Sequence, residues 1–303
     1  MADLPSRIAL IGLGNMGAPM ARRWIDAGVE VHGFDTDAAA VARLEEVGGR
    51  GAASAAEAAL AAEVVILMLP TSAIVDRVLD DLIAAGAMTT GRLVVDMSSS
   101  QPVQSVANRD RLAALGVDFI DAPVSGGVRG VNAGTLAIIV GGPAELVATA
   151  QPLLKVLGTV THVGDAGAGH AAKALNNLVS AAHLWMTCEA VLVAERFGIA
   201  RETMVGVLNA STGRSVSSEV KWPKFILTES YESGFQAGLL SKDALVATAL
   251  TESLGLPELL GADVARLWSR ASADLPPGAD HTEVARWIEA TYREMAPEPD
   301  RAP

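Results

Sequence analysis

The chain has 303 residues, which is enough for two domains of ordinary size. With 50% hydrophobic and 19% charged residues, it can bury a large core, and its composition excludes an intrinsically disordered protein. The net charge of −12 argues against a nucleic-acid partner, since phosphate binding needs clustered Lys and Arg.

The sequence shows no long apolar run, no second cysteine and no metal-ligand spacing, and each absence leads to an expectation. The longest apolar run, Val64–Pro70, has the length of a buried strand and is shorter than the ~18–20 residues of a membrane helix, so no membrane association is expected. Cys188 is the single cysteine and forms no internal disulfide, which favours a cytoplasmic location. The five histidines show no H-x-x-x-H or Cys/His pairing, so no metal is expected.

In the first half of the chain, short β-branched runs alternate with amphipathic segments. Strands are predicted at 7–11, 30–34, 64–69, 93–97 and 118–120, and helices at 15–27, 37–47, 54–62 and 101–115. Apolar strands that alternate with helices are typical of a parallel sheet covered on both faces. Residues 1–164 are therefore predicted to form an α/β domain with a doubly wound, mostly parallel sheet of Rossmann type.

The pattern changes at the glycine-rich segment GDAGAGH, which begins at residue 164. Apolar residues then recur at helical spacing over 168–197, and a helix of ~30 residues would be ~45 Å long. Later helices are predicted at 201–209, 241–254, 257–272 and 282–295. We expect an all-α second domain over 165–295 that opens with this long interdomain helix, and a disordered tail over 296–303.

The first strand leads directly into a G-x-G-x-x-G pattern, IGLGNMG, and then into a helix. Gly12 permits a tight turn, Gly14 lets the backbone approach a pyrophosphate, and Gly17 lets helix and strand pack closely. The predicted cofactor contacts in this segment are Gly12, Leu13, Gly14, Asn15, Met16 and Gly17.

Asp35 ends the second strand, where it would accept hydrogen bonds from the adenine-ribose hydroxyls and repel a 2′-phosphate. The pattern therefore predicts NAD as the cofactor, with NADP disfavoured. The alternative is a glycine turn followed by a solvated aspartate.

Two later strand ends extend the predicted cofactor site. Leu69 and Pro70 end an apolar strand, where a parallel sheet places its ligand crevice. Ser98, Ser99 and Ser100 follow the next strand, and their hydroxyls suit either the nicotinamide ribose or the cap of the following helix. The ribose role is favoured for Ser99, whereas both roles stay open for the other two serines.

The reacting groups are predicted in two segments. Ser125, Gly126 and Gly127 follow a strand and form a turn whose hydroxyl and open backbone amides suit a carboxylate, although many such turns bind nothing. Lys173 and Asn177 are four residues apart on the long helix and share a face. Desolvation in this apolar helix would lower the pKa of Lys173 and suit it to general acid/base chemistry; the alternative is a solvated surface lysine.

Together these motifs resemble the β-hydroxyacid dehydrogenases, a family typified by 3-hydroxyisobutyrate dehydrogenase. The matching segments are, in order, IGLGNMG, LP at 69–70, DMSSSQP, DAPVSGG followed by AGTLAIIVGG, GHAAKALNN and SGFQAGLLSKDALVA. They follow the order and approximate spacing of the family over nearly the whole chain.

The resemblance implies a Rossmann domain and a helical domain with the active site in the cleft between them. It implies that Lys173 is the catalytic acid/base, that Lys242 lies near the cofactor, and that the protein is a homodimer or homotetramer. Ser125 and Asn177 are implied to act with Lys173 in catalysis, and the implied substrate-binding residues are Ser125, Gly126, Gly127 and Asn177. Asn176 stands where the related phosphogluconate dehydrogenases have His, which disfavours a decarboxylating sugar-phosphate enzyme, and Lys173 argues against an imine reductase.

The substrate itself stays open. Candidates are 3-hydroxyisobutyrate, glycerate with tartronate semialdehyde, L-threonate-like sugar acids and sulfonate analogues such as sulfolactaldehyde. Arg129, Arg214 and Lys221 are candidates for the specificity pocket, where a charge would suit a second anionic group, but each is also consistent with a solvated loop. A non-catalytic NAD-binding sensor is the alternative of a different class, and it would be expected to lack Lys173 or the Ser125 loop.

Overall fold

The structure is a computed structural model that describes residues 4–295. The chain folds into two compact units, and the first ends at Lys173 while the second begins at Ala174. The tail predicted at 296–303 lies outside the described residues.

The first unit contains a nine-stranded sheet. Its strands are β1 (Arg7–Ile11), β2 (Glu30–Phe34), β3 (Arg50–Gly51), β4 (Val64–Leu67), β5 (Leu93–Asp96), β6 (Asp118–Asp121), β7 (Val124–Ser125), β8 (Leu136–Gly141) and β9 (Gly158–Gly164). Six strands are parallel in the order β3-β2-β1-β4-β5-β6, while β8 is antiparallel to β6 and β7 and parallel to β9. The strand order reverses beside β1, which creates a crevice at the carboxyl ends of β1 and β4.

Helices cover both faces of this sheet. They are α1 (Gly17–Asp26), α2 (Ala38–Glu46), α3 (Ala55–Leu60), α4 (Ser72–Ala84), α5 (Pro102–Ala113), α6 (Gly127–Ala133), α7 (Ala144–Lys155) and the first residues of α8 (Ala168–Phe197). Ile8 of β1 packs in one buried cluster with Trp24 of α1, and the adjacent Ala9 packs in a second cluster with Leu79 of α4. Because successive strand residues face opposite sides, these two clusters are the two cores of a doubly wound sheet.

The second unit is helical. After the rest of α8 come α9 (Arg201–Asn209), a π-helix (Ser217–Ile226), α10 (Ala237–Ser253), α11 (Leu260–Asp274), a 3₁₀ turn (His281–Glu283) and α12 (Val284–Met295). Trp185 and Trp268 meet edge to face in its core with ring centroids 5.8 Å apart, beside the fully buried Trp222. The predicted fold class, a Rossmann-type sheet followed by a long helix and helical elements, is confirmed.

The structure contains elements that were not predicted, among them strand β3, and three regions differ most from the predictions. Helix α4 was not predicted, although Thr71 caps it by accepting the N–H of Ile74 at 3.3 Å. The region 124–164, for which no element was predicted, holds three strands and two helices. The polar stretch that contains Pro223 is a π-helix rather than a loop.

Helix α8 corrects the expectation that no segment is long enough to cross a membrane. By length and composition alone it could do so, although half of its most apolar part is buried within the protein. Ala residues between larger apolar side chains raise the mean hydropathy without forming a long uninterrupted run. One such helix is weak support for a membrane span, since the core helix of a soluble protein has the same properties.

Candidate active site

Most predicted site residues of the first unit gather at one edge of the sheet. Gly12 follows β1, Asp35 follows β2, Leu69 lies just beyond β4, and Ser99 lies just beyond β5. Because these four strands are parallel, their carboxyl ends share this edge, which is where open α/β sheets bind ligands.

The glycine-rich turn between β1 and α1 is shaped by close backbone contacts. Gly12 has φ +103°, and a Cβ there would lie 2.2 Å from the carbonyl oxygen of Met68. A Cβ on Gly17 would lie 1.9 Å from the carbonyl oxygen of Gly12. A Cβ on Gly14 would meet no protein atom within 4 Å, so protein packing does not explain this glycine. The open space there fits the close approach of a pyrophosphate.

The start of α1 suits an anion. Its N-cap residue, Met16, makes no side-chain cap, so the N–H groups of the first turn are not satisfied by a capping side chain. Leu13 is buried, while Gly14 and Asn15 are exposed. The turn therefore holds one side chain in the core and presents its backbone to solvent and ligand.

Asp35 supports this turn from the end of β2. It is partly buried, and its Oδ2 accepts the N–H of Leu13 at 2.7 Å while its Oδ1 accepts the N–H of Asp37 at 2.9 Å. The carboxylate is thereby held beside the glycine-rich turn, where a 2′-phosphate on the adenine ribose would meet its negative charge.

The three serines after β5 have different environments. Ser98 and Ser100 are buried and bond to the fully buried Asp96: the N–H of Ser98 donates to Oδ1 at 3.0 Å, and Oγ of Ser100 donates to Oδ2 at 2.8 Å. Ser98 Oγ also accepts the N–H of Leu69 at 2.9 Å. Neither caps α5, whose N-cap is Gln101. Ser99 is the partly exposed member of the three.

The Ser-Gly-Gly loop leaves the sheet at β7. Ser125 pairs with Ala137 of β8, and two successive residues with positive φ follow, Gly126 at +130° and Gly127 at +59°. A Cβ on Gly127 would meet nothing within 4 Å. A Cβ on Gly126 would lie 3.0 Å from the Leu136 side chain, so of the two glycines only Gly127 borders open space.

Lys173 contacts this loop. The lysine is only 8% exposed, and its Nζ donates to the carbonyl oxygen of Val124 at 2.8 Å. Val124 directly precedes Ser125, so the amine is held beside the predicted carboxylate cradle. The structure therefore brings together these two motifs, which lie 48 residues apart (173 − 125) in the sequence.

A buried hydrogen-bond network fixes the start of α8 in the first unit. Asp121, at the end of β6, accepts the N–H groups of Gly167 at 2.6 Å and of His170 at 2.7 Å. The His170 ring bonds Ser105 Oγ at 2.7 Å through Nδ1 and the carbonyl of Ser98 at 3.0 Å through Nε2. Burial raises the pKa of Asp121, and His170 together with the two amides opposes that rise.

The sequence did not indicate this network. Asp121 and His170 lie within DAPVSGG and GHAAKALNN, but their residue types alone do not reveal the pairing. An aspartate directly after an apolar predicted strand is a signal that such a residue has a partner, but it does not identify the partner. The network holds the first turn of α8, which precedes Lys173, through the Asp121 carboxylate and the His170 ring together.

In the second unit, Asn177 bonds to a residue that was not predicted. Its Nδ2 donates to Oδ2 of the buried Asp243 at 2.6 Å, and its Oδ1 accepts Nδ2 of Asn176 at 3.2 Å. Nζ of Lys242 lies 3.5 Å from Oδ1 of Asp243. Asp243 thereby orients both Asn177 and Lys242, and its position next to the predicted Lys242 was the signal that could have identified it.

The three candidates for a specificity pocket have different environments. Arg214 is exposed and pairs with Glu219 at 3.5 Å, and Arg129 is also exposed. Lys221 is partly buried, and its Nζ donates to Ser180 Oγ at 3.2 Å. Burial lowers the pKa of Lys221 to about 8. Within residues 4–295, no group of three or more His, Cys, Asp or Glu side chains is arranged to hold a metal.

Comparisons with known proteins cover nearly the whole chain. Residues 7–164 match the family described as the NAD binding domain of 6-phosphogluconate dehydrogenase. Residues 167–288 match the family described as NAD-binding of NADP-dependent 3-hydroxyisobutyrate dehydrogenase.

Individual relatives agree with these matches. The chain is 38% identical over 278 residues to 3-hydroxyisobutyrate dehydrogenase of Pseudomonas aeruginosa, covering 88% of this chain and 93% of the relative. It is 37% identical over 239 residues to 2-(hydroxymethyl)glutarate dehydrogenase of Eubacterium barkeri, covering 78% and 79%. A solved structure of Mycobacterium tuberculosis 3-hydroxyisobutyrate dehydrogenase with L-serine superposes with a TM-score of 0.89 at 32% identity, covering 94% and 99%.

These matches span both units, and the glycine-rich turn leaves open space at Gly14. The chain is an NAD-binding oxidoreductase that belongs to the β-hydroxyacid dehydrogenase family.

Proposed function

We propose that this enzyme interconverts a small carboxylic acid bearing a primary β-hydroxyl group and the corresponding aldehyde acid, with NAD as the hydride carrier. The observation that carries the proposal is the contact of Lys173 Nζ with the Val124 carbonyl, which places an amine beside the Ser125 loop. An amine next to a carboxylate cradle is the arrangement that a hydroxy acid needs.

Three names among the relatives and solved structures share one substrate unit, whereas another relative, 33% identical over 269 residues, is named 3-sulfolactaldehyde reductase. 3-Hydroxyisobutyrate, L-serine and 2-(hydroxymethyl)glutarate all contain the unit HOCH₂–CH(R)–COO⁻. They differ in R, which is methyl, ammonium and carboxyethyl respectively. We therefore assign the class as hydroxymethyl carboxylic acids, to which glycerate also belongs, and leave R to the specificity pocket.

Lys173 is the proposed general acid/base. In the oxidation direction its neutral amine accepts the proton of the substrate hydroxyl while the carbonyl double bond forms, and in reduction its ammonium returns that proton to the aldehyde oxygen. The bound nicotinamide supplies the hydride acceptor or donor. The hydrogen bond to Val124 fixes the direction of the amine, so that orientation contributes to lowering the barrier.

Other residues bind and orient. Ser125 with the backbone of Gly126 and Gly127 is proposed to bind the carboxylate, and Asn177, oriented by Asp243, to bind near the reacting hydroxyl. Lys242 remains the proposed contact to the cofactor from the second unit.

The cofactor residues are proposed in the same way. Gly12, Gly14 and Gly17 shape the pyrophosphate turn, and Asp35 accepts ribose hydroxyls while its charge disfavours a 2′-phosphate. The remaining proposed contacts are Leu13, Asn15, Met16, Leu69, Pro70 and Ser99. NAD should accordingly be used in preference to NADP.

We also propose a homodimer or homotetramer in the cytoplasm. Leu175, Val179, Met186, Val193 and Phe197 recur at helical spacing on α8, and each is between 45% and 85% exposed. An exposed apolar stripe of this length is typical of a subunit interface. The single cysteine, Cys188, is buried and unbridged, as suits a reducing compartment.

The test is a substrate and cofactor panel. NADH formation should be followed with 3-hydroxyisobutyrate, L-serine, glycerate and 2-(hydroxymethyl)glutarate, and NADPH formation in parallel. 2-Hydroxybutyrate, an isomer of 3-hydroxyisobutyrate whose oxidisable hydroxyl is on the α-carbon, is the matched control. We expect turnover of at least one hydroxymethyl acid with NAD, a preference for NAD that Asp35→Ser weakens, and no turnover of the control. Absence of turnover in both directions, with the aldehyde acids and NADH included, would exclude the proposed function.

A further inference from the structure

Lys221 is an unusual residue of the second unit, because it is a partly buried cation without an anionic partner. It lies within the π-helix, directly before the buried Trp222 of the same helix. Its Nζ donates to Ser180 Oγ, and among residues 4–295 no carboxylate oxygen lies within 4.0 Å of it. Buried charges are normally paired or fully hydrogen-bonded, so such a lysine needs a reason to be there.

The nearest acid does not neutralise it. Asp280 is close enough to raise the pKa of Lys221, but its carboxylate is already used within its own loop. It accepts Oγ of Ser233 at 2.8 Å, the N–H of Gly234 at 2.8 Å, and both the N–H and Oγ1 of Thr282, at 2.9 Å and 2.6 Å. If the Asp280 carboxylate turned toward Lys221, these donors, including the N–H of Thr282 at the start of the 3₁₀ turn, would lose their acceptor.

The neighbouring His281 does not neutralise the charge of Lys221 either. His281 Nδ1 lies 2.9 Å from the carbonyl oxygen of Phe235, a group that only accepts, so Nδ1 carries the proton. Its Nε2 is buried and has no hydrogen-bond partner in the described chain. Burial and the charge of Lys221 lower the pKa of His281 to about 4, so this ring is neutral at pH 7.

Ser180 connects Lys221 to the proposed substrate site. Lys173, Asn177 and Ser180 all belong to α8, and at 100° per residue they lie within about 60° of one another on its surface. Ser180 is three residues, slightly less than one turn and about 4.5 Å of helix rise, beyond Asn177. The ammonium of Lys221 is therefore tied to the same helix face, one turn farther from Lys173 than Asn177 is.

This spacing matches the shape of the substrate class. In HOCH₂–CH(R)–COO⁻ the hydroxyl belongs at Lys173, and a substituent R that extends along α8 passes Asn177 toward Ser180. Methyl would not reach that far, and an ammonium group would be repelled by a cation. A two-carbon arm ending in a carboxylate extends the molecule by a length comparable to one helical turn.

Resting on the proposed function, we infer that Lys221 is a specificity residue that binds a second anionic group on the substrate, so that the preferred substrates are hydroxymethyl dicarboxylic acids. The ammonium donates a charge-assisted hydrogen bond to the distal carboxylate while Ser180 holds its position. Such bonds to a charged group are worth enough to shift affinity by about 10- to 100-fold.

The experiment compares kcat/KM for 2-(hydroxymethyl)glutarate with kcat/KM for 3-hydroxyisobutyrate. The wild type should prefer the diacid by about tenfold or more. Lys221→Met should lower this ratio by about 10- to 100-fold, mainly through KM of the diacid, and Lys221→Arg should restore part of it. Lys224→Met is the matched control, since Lys224 is an exposed lysine on the same π-helix, and it should leave the ratio unchanged.

The outcomes separate this inference from the function on which it rests. Turnover of hydroxymethyl acids with a ratio that Lys221→Met leaves unchanged would overturn the role of Lys221 alone. If no hydroxymethyl acid is turned over, the proposed function fails, and the role of Lys221 is then tested by titrating glutarate into the NAD-loaded protein. Glutarate binding that is lost in Lys221→Met supports this role, and equal binding by the wild type and the variant overturns it. If Lys221→Met does not fold, Lys221→Gln takes its place in both measurements.

Discussion

Replacing a buried charged residue that serves substrate binding should raise the free energy of unfolding, and for Lys221 the size of this gain follows from its pKa. Burial lowers its pKa from 10.5 to about 8, a difference of about 2.5 units. At 1.36 kcal/mol per unit, the charged form costs the folded protein about 3 kcal/mol. Replacement by Met removes this cost but also loses the hydrogen bond to Ser180, worth about 1 kcal/mol. Lys221→Met should therefore stabilise the second unit by about 2 kcal/mol at pH 7.

The sign of the pH dependence follows from the same shift. Between pH 8 and 10.5 the unfolded chain retains a proton on Lys221 that the folded chain has lost, so stability rises with pH over this window. Below about pH 8 both states are protonated, and the cost is present in full. The Met variant lacks this titration, so the difference between the two proteins should shrink as pH rises from 8 to 10.5.

Tryptophan fluorescence is a suitable assay for this effect. Four of the five tryptophans, Trp185, Trp222, Trp268 and Trp287, lie in the second unit, so denaturant unfolding followed by fluorescence mainly reports that unit. Lys224→Met is the control for a general gain from replacing Lys by Met. A Lys221→Met protein that is less stable than the wild type at pH 7, or a difference that does not change with pH, would refute the reasoning.

Three further predictions concern other parts of the molecule. Asp121→Asn should destabilise the first unit by about 2 kcal/mol, because one amide oxygen replaces two acceptors of the N–H groups of Gly167 and His170; a loss below about 0.5 kcal/mol in denaturant unfolding would show that the network is dispensable. Gly17→Ala should prevent the glycine-rich turn from forming, since its Cβ would lie 1.9 Å from the carbonyl oxygen of Gly12. Gly14→Ala, whose Cβ meets no protein atom within 4 Å, should fold normally and weaken NAD binding measured by calorimetry. Equal effects of the two substitutions on folding and on NAD binding would contradict this account. The preference for the diacid should fall as pH rises through about 8, because Lys221 loses its charge there. The nearby His281 and Cys188, with pKa values of about 4 and about 12, do not titrate in this range. A preference that stays constant up to pH 10 would exclude Lys221 as its source.

Local sequence patterns predicted the parts of the site that depend on local structure. The G-x-G-x-x-G turn needs glycine for reasons that act within a few residues, and Gly12 and Gly17 meet the close contacts that the pattern implies. The strand ends at Asp35 and Leu69 followed from the alternation of strands and helices. The shared face of Lys173 and Asn177 followed from helical periodicity alone.

The missed features depend on contacts between distant segments. Asp243 orients Asn177 from 66 residues away, and Asp121 bonds His170 from 49 residues away. Neither pairing leaves a periodic pattern in the sequence. The environment of Lys221 was equally hidden, because a polar stretch that contains a proline favours a loop, whereas tertiary packing winds it into a π-helix. Burial, which distinguishes Lys221 from the exposed Arg214, is a property of the folded unit and not of the residue type.

The most direct test of the central claim is turnover by Lys173→Met, which keeps an apolar stem of similar length and removes the amine. With a hydroxymethyl acid that the wild type oxidises, the variant should lose about 10²- to 10⁴-fold in kcat, the usual contribution of general acid/base catalysis, while NAD binding measured by calorimetry stays close to that of the wild type. A variant that binds NAD and retains kcat within about threefold of the wild type would contradict the assignment of Lys173 as the acid/base.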